Sequence, residues 1–167
     1  KGLTGPHPLF RVERLAGLPA TTDILIVEGE KCVHALESIG LVAVTSKGGS
    51  GAAHMTDWSP LAKFRRAYIL PDNDEPGRKY ARDVVGILAG LPGQREVTVC
   101  ELPGLPEKGD VYDFLQDNTA AELLAAIEEH GRPAPVAEVT DTLAEESLYS
   151  LIKPIPEPEP YPVDALG

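Results

Sequence analysis

Carboxylates close the apolar runs of this chain. Ile24-Leu25-Ile26-Val27 ends in Glu28-Gly29-Glu30-Lys31, and Tyr68-Ile69-Leu70 ends in Pro71-Asp72-Asn73-Asp74-Glu75-Pro76-Gly77-Arg78. A third acidic group lies in Lys108-Gly109-Asp110-Val111-Tyr112-Asp113-Phe114-Leu115. Short aliphatic runs without polar alternation suit strands buried on both faces, which is how parallel sheets are built. When each parallel strand is followed by a helix, the C-terminal strand ends share one edge, where the sites of α/β sheets lie. The chain is thereby directed to a fold that gathers Glu28, Asp72, Asp74 and the Asp110/Asp113 pair. Acids so gathered repel one another unless a cation joins them. Magnesium, which prefers carboxylate oxygen, is the obvious candidate.

The remaining sequence fits this alternation. The spacing of Val33, Leu36 and Ile39 predicts a helix over 30–39, stopped by Gly40. A strand over 41–44 precedes a flexible loop, Ser46-Lys47-Gly48-Gly49-Ser50-Gly51, and a short helix runs from Asp57 to about Lys63. Strand 67–70 leads to a helix over 75–89 with Tyr80, Val84, Ile87 and Leu88 at core spacing. Strand 96–102, a short helix over 110–115 and an amphipathic helix over 119–130 complete the series. Thr119 and Glu122 form a capping-box pattern at the start of that last helix. This β-α-β-α-β-α-β-α order implies an α/β fold with a mainly parallel central sheet and helices on both faces.

Residues 1–22 read as an N-terminal lead-in with one small helix within 9–18, residues 23–131 as the α/β domain, and 132–167 as an acidic, proline-rich linker or extension. Pro154, Pro156, Pro158, Pro160 and Pro162 alternate, as in an extended polyproline-like connector. Charge follows the same division. Residues 1–116 carry 15 acidic and 13 basic groups and residues 117–167 carry 11 and 2, so the net −11 splits into −2 and −9. A polyanion would therefore find little attraction in the chain as a whole. Hydrophobic residues reach 43% but aromatics only 5%, so the core is aliphatic. No apolar run is long enough to span a membrane and no signal peptide is visible, which points to the cytoplasm. The chain starts at Lys1 and reads as part of a longer protein. Cys32 and Cys100 are far apart, lack metal-ligand spacing and suit free thiols in a reducing compartment.

Taken in order, Glu28-Gly29 after one strand, Asp72-Asn73-Asp74 with Gly77 after another, and Lys108-Gly109-Asp110 followed by Asp113 resemble the Toprim domain over about residues 20–130. That family includes bacterial-type primases, type IA and II topoisomerases and certain nucleases. The variant resembled is the primase domain of phage and plasmid primase–helicases. The resemblance implies Glu28 as general acid/base and Asp72 and Asp74 as holders of Mg2+ or Mn2+, with Asp110 and Asp113 as auxiliary acids. It implies single-stranded DNA template and nucleoside triphosphates as partners, in the cytoplasm of a bacterium or a phage-infected host. A zinc-binding domain before this segment and a helicase after it are also implied. Tyr161-Pro162-Val163-Asp164-Ala165-Leu166 looks like the lead-in to the latter. One departure stands out. Related sequences often have an acid at the position of Cys32, and cysteine is a poor magnesium ligand, which leaves Glu30 as a substitute or Cys32 as a buried helix residue.

Lys31, Lys47, Arg78 and Lys108, with Lys79, flank the acidic edge and are the candidate phosphate contacts. Lys47 is the best placed, because the amides of its glycine-rich loop can also meet a phosphate. Trp58 has the shape to stack a base, but the single tryptophan of a small domain is more commonly core. The alternatives are a Toprim nuclease or topoisomerase fragment, and a non-catalytic module that binds nucleotide or a partner. No tyrosine here has a recognisable topoisomerase context.

Overall fold

The computed structural model describes residues 5–135; most of the acidic, proline-rich extension lies outside the described residues. The strands are β1 (His7–Pro8), β2 (Asp23–Val27), β3 (Ala43–Val44), β4 (Thr56–Asp57), β5 (Arg66–Leu70), β6 (Glu96–Val99) and β7 (Arg132–Pro133). The helices are α1 (Glu30–Ser38), α2 (Glu75–Ala89), α3 (Val111–Asp117) and α4 (Ala120–His130). The central sheet has the order β3-β2-β5-β6-β7, parallel except for β7, which runs antiparallel to β6 on the edge. The mainly parallel α/β sheet expected from the sequence is therefore present.

The period of two along the strands decides which helix covers which face. Ile24 and Ile26 of β2 join Ala67 and Ile69 of β5 on one face, under Tyr80, Ala81, Val84 and Leu88 of α2. Leu25 and Val27 join Leu70 on the other, under Cys32, Val33 and Leu36 of α1 and the buried sides of α3 and α4. Both faces are sealed, so the central strands carry unbroken aliphatic runs. Trp58 belongs to the first cluster; it is 2% exposed and its indole N–H donates to the Ala53 carbonyl at 2.8 Å. The base-stacking role is thereby removed.

Several boundaries differ from the sequence expectation for local reasons. The strand expected over 41–44 shrinks to Ala43–Val44, because α1 ends in a Schellman motif. The Gly40 N–H bonds the Glu37 carbonyl at 3.0 Å, and the Leu41 N–H bonds the Leu36 carbonyl at 3.1 Å. Leu41 therefore belongs to the helix cap. The lead-in segment forms a 3-10 turn, Val12–Leu15, and buries Leu9 and Leu15 in the core. Two-residue pairs such as β1 with β4 leave no periodicity to read. Strand β7 extends the sheet past residue 131 with Pro133, which an edge strand tolerates. Among the described residues, no helix is long and apolar enough to cross a membrane.

Candidate active site

Val27 and Leu70 are register partners on β2 and β5, so Glu28 and Pro71-Asp72 leave the same edge side by side. The chain adds β3 on one side of β2 and then β5 and β6 on the other. The crevice between β2 and β5 is thus the switch point, where α/β sheets take ligands. The chain makes the turn out of β2 at Gly29, whose φ of 77° is one that side-chain-bearing residues rarely adopt. The Gly29 N–H donates to Thr45 Oγ1 at 3.2 Å. Next to it, Ser46 donates to the buried Tyr80 hydroxyl through its N–H at 3.3 Å and its Oγ at 3.1 Å. These bonds fix the start of the loop that carries exposed Lys47.

Glu28 is half-buried, and its Oε1 is buried with no hydrogen-bond partner among the described residues. Burial and the neighbouring Asp74 carboxylate hold its pKa above the usual carboxylate value, against a backbone N–H from Asp72. Burial, then Glu28, Asp110 and Asp74, push Asp72 up to about 7, with Lys31 acting in the opposite direction. Glu28 and Asp72, each held up by burial and by neighbouring carboxylates, form a site that favours a proton or a metal cation. The orphaned Glu28 oxygen and the oxygen-rich donors fit a divalent ion. The thiol of Cys32 and carboxylate oxygens of Asp72 and Asp110 also lie within 4.8 Å of one another.

The pH consequence has a definite sign. The folded chain holds a proton on Asp72 up to about pH 7, whereas an unfolded aspartate releases it near pH ~4. Unfolding therefore releases a proton in that window, and stability without metal should fall as pH rises from about 4 to about 7. Thermal melts in chelator should show this slope for the wild type and a shallower one for Asp72→Asn. Equal slopes would remove Asp72 as its source.

Asp74 has a structural duty as well. It is the N-cap of α2, its Oδ1 accepting from the Gly77 N–H at 2.7 Å. Asp110 and Asp113 form a reciprocal capping box at the start of α3, each bond 3.0 Å. Asp110 also meets Lys31 Nζ at 2.7 Å. Burial opposes its ionisation, but the Lys31 contact and the Asp113 backbone N–H outweigh that and hold its pKa below normal. Asp110 thus reaches the cluster. Asp113 instead borders a neighbouring cavity between the 103–109 loop and α4. Glu30 is exposed on the first turn of α1.

The basic candidates divide. Lys31 is engaged with Asp110 and lies 4.5 Å from the Tyr112 ring centroid. Arg78 pairs with Glu75 at 3.3 Å, and Lys79 with Asp83 at 2.6 Å. Lys47 and Lys108 stand exposed. One residue escaped the sequence reading. Asn73 ties the Asp72/Asp74 turn to the loop before Asp110 through four hydrogen bonds. Its N–H reaches the Gly109 carbonyl at 2.8 Å and its own carbonyl takes the Lys108 N–H at 3.0 Å. Its side-chain amide reaches the carbonyls of Leu105 at 2.9 Å and Pro106 at 3.0 Å. These partners lie more than thirty residues away, beyond any local signal.

No family model matches the chain, and no curated protein matches it either. Solved structures do. A DNA primase domain from Pseudomonas aeruginosa aligns with TM-score 0.55 and 23% identity over 78% of this chain and 37% of its own. The primase fragment of the bacteriophage T7 primase-helicase aligns with TM-score 0.54 and 22% identity over 71% and 47%. The zinc-binding and RNA polymerase domains of the Aquifex aeolicus primase align with TM-score 0.53 and 24% identity over 77% and 30%. The chain spans less than half the length of each. It shares the mainly parallel α/β fold found in these primase structures.

Proposed function

We propose that this chain is the Toprim catalytic domain of a DNA primase or primase–helicase, which joins nucleotides into short primers on single-stranded DNA. The observation that supports this most is the half-buried Glu28, with its unpartnered Oε1, beside Asp72 and Asp74 at the switch point. Phosphoryl transfer requires neutralised phosphate charge and an oriented hydroxyl, and a bound Mg2+ or Mn2+ supplies the first. Asp72 and Asp74 hold that ion, with Asp110 and Asp113 as auxiliary acids. Glu28 exchanges the proton of the attacking hydroxyl, a role suited by a carboxyl whose pKa lies above normal. Lys47 and Lys108, then Lys31 and Arg78 once drawn from their present partners, meet the triphosphate. Residues 23–131 would be the catalytic unit and 132–167 the connector toward a helicase, with a zinc-binding domain upstream and a cytoplasmic setting.

In the full-length protein, the Asp72→Asn/Asp74→Asn pair should weaken Mn2+ binding at least ~10-fold, about 1.4 kcal/mol or more. The Mn2+ concentration needed for primer formation should rise with it. Isothermal titration reads the first and a template-dependent synthesis assay the second. Superimposable isotherms for wild type and double variant would remove the metal assignment.

A further inference from the structure

Lys47 leaves the sheet beside Glu28. Val44 of β3 is the register partner of Ile26 of β2, and the Gly29 N–H bonds Thr45 Oγ1 at 3.2 Å, so Thr45-Ser46-Lys47 departs from the same edge as the acids. Beneath this departure lies a phenol. Tyr80 comes from the second turn of α2, the helix capped by Asp74, and is 1% exposed. We infer that Tyr80 is a positioning residue: its hydroxyl holds the root of the loop over 46–51 so that Lys47 meets the triphosphate of the incoming nucleotide. The inference rests on the primase reading and adds how its nucleotide-facing lysine is aimed.

The ring of Tyr80 belongs to the core with Ile26, Val44 and Val84, a task that phenylalanine would serve as well. What the oxygen adds is polar. It accepts from the Ser46 N–H at 3.3 Å and lies 3.1 Å from Ser46 Oγ, which in turn lies 3.2 Å from the Gly49 carbonyl oxygen. Thr45 and Ser46 are themselves buried, at 0% and 1% exposure, so water is poorly placed to replace these bonds. Burial raises the pKa of the phenol, against the bonds from Ser46 and Thr45, so at neutral pH it is an uncharged group that both donates and accepts. Lys47 is followed by Gly48 and Gly49, which give the loop no stiffness of their own. Its backbone is therefore set from outside, through Ser46 on one side and the Gly49 carbonyl on the other. A long, exposed lysine loses less freedom on meeting a phosphate when the backbone that carries it is already fixed. Without the hydroxyl, the buried Ser46 N–H loses its acceptor, and the loop root must shift to find another.

The test measures primer synthesis by the full-length protein at saturating Mn2+ over a range of nucleoside triphosphate concentrations. Tyr80→Phe should raise the nucleotide KM about 5–10-fold, the scale of one net hydrogen bond. Its kcat should stay within ~2-fold of the wild type, as expected when binding alone is lost. Mn2+ binding without nucleotide should be unchanged, because Asp72 and Asp74 keep their places. Lys47→Met should raise KM by itself, and adding Tyr80→Phe to it should raise KM less than ~2-fold further, because the hydroxyl acts through the lysine. A tyrosine that only supports the core would lower the melting temperature in both backgrounds and leave KM alone. If Tyr80→Phe does not fold, Ser46→Ala, which removes the hydroxyl contact and keeps the ring, carries the same cycle in the same direction. An unchanged KM in the folded variant, or an equal rise with and without Lys47, would overturn the inference and leave the primase reading standing. A wild type that makes no primers with Mg2+ or Mn2+ would overturn both.

Discussion

Glu28→Gln in the full-length protein is expected to lower primer synthesis by about 100-fold or more, the scale of lost general acid–base catalysis. Glutamine keeps the size and shape of the side chain, so the turn at Gly29 and the packing of β2 should persist. Mn2+ binding through Asp72 and Asp74 should continue, since Glu28 is assigned the proton and they are assigned the ion. The metal-free fold should become slightly more stable, because glutamine removes a carboxyl whose ionisation is opposed by its own burial and by the Asp74 charge. Primer yield, a Mn2+ isotherm and a denaturation midpoint separate these effects. Wild-type primer yield from the variant would end the general acid/base role.

Gly77→Ala should damage fold and site together. A Cβ at Gly77 would sit 2.2 Å from the Asp72 carbonyl oxygen and 2.9 Å from the Asp72 nitrogen and carbonyl carbon. Those are backbone atoms, so no side chain can rotate away. Relief requires the first turn of α2 to move off the Asp72 segment, which loosens the Asp74 cap on the Gly77 N–H. Overpacking of this kind costs about 1–3 kcal/mol, and a lost cap about 1 kcal/mol more. The variant should melt several degrees lower and bind Mn2+ more weakly even where it remains folded. Gly86, on the same helix with open space around its position, is the control; Gly86→Ala should have neither effect. An unchanged melting temperature for Gly77→Ala would contradict the close approach of α2 to Asp72.

The elements legible in the sequence were those with enough residues to carry a period. The aliphatic runs before Glu28 and Pro71 became β2 and β5, and the core spacing of 75–89 became α2 with its bounds intact. The Thr119/Glu122 pattern became the capping box of α4. The gathering of Glu28, Asp72 and Asp74 followed from strand ends sharing an edge, a matter of topology more than of any one motif. What stayed hidden depends on contacts between distant segments. The Asn73 staple, the seating of Trp58 against Ala53 and the approach of Cys32 to Asp72 and Asp110 each need the folded backbone. Lys31 illustrates a different limit. Its position beside the acidic edge was readable, but its ion pair with Asp110 arises from the packing of α1 on α3.

The central claim is that this acidic edge makes phosphodiester bonds under metal control. The most direct measurement supplies the full-length protein with single-stranded DNA, labelled nucleoside triphosphates and a varied divalent ion, then resolves the products on a denaturing gel. The account predicts short template-dependent oligonucleotides with Mg2+ or Mn2+, none in chelator, and none from Asp72→Asn at metal levels that saturate the wild type. Cleavage of the DNA with no labelled product, or synthesis indifferent to metal and to Asp72, would contradict it.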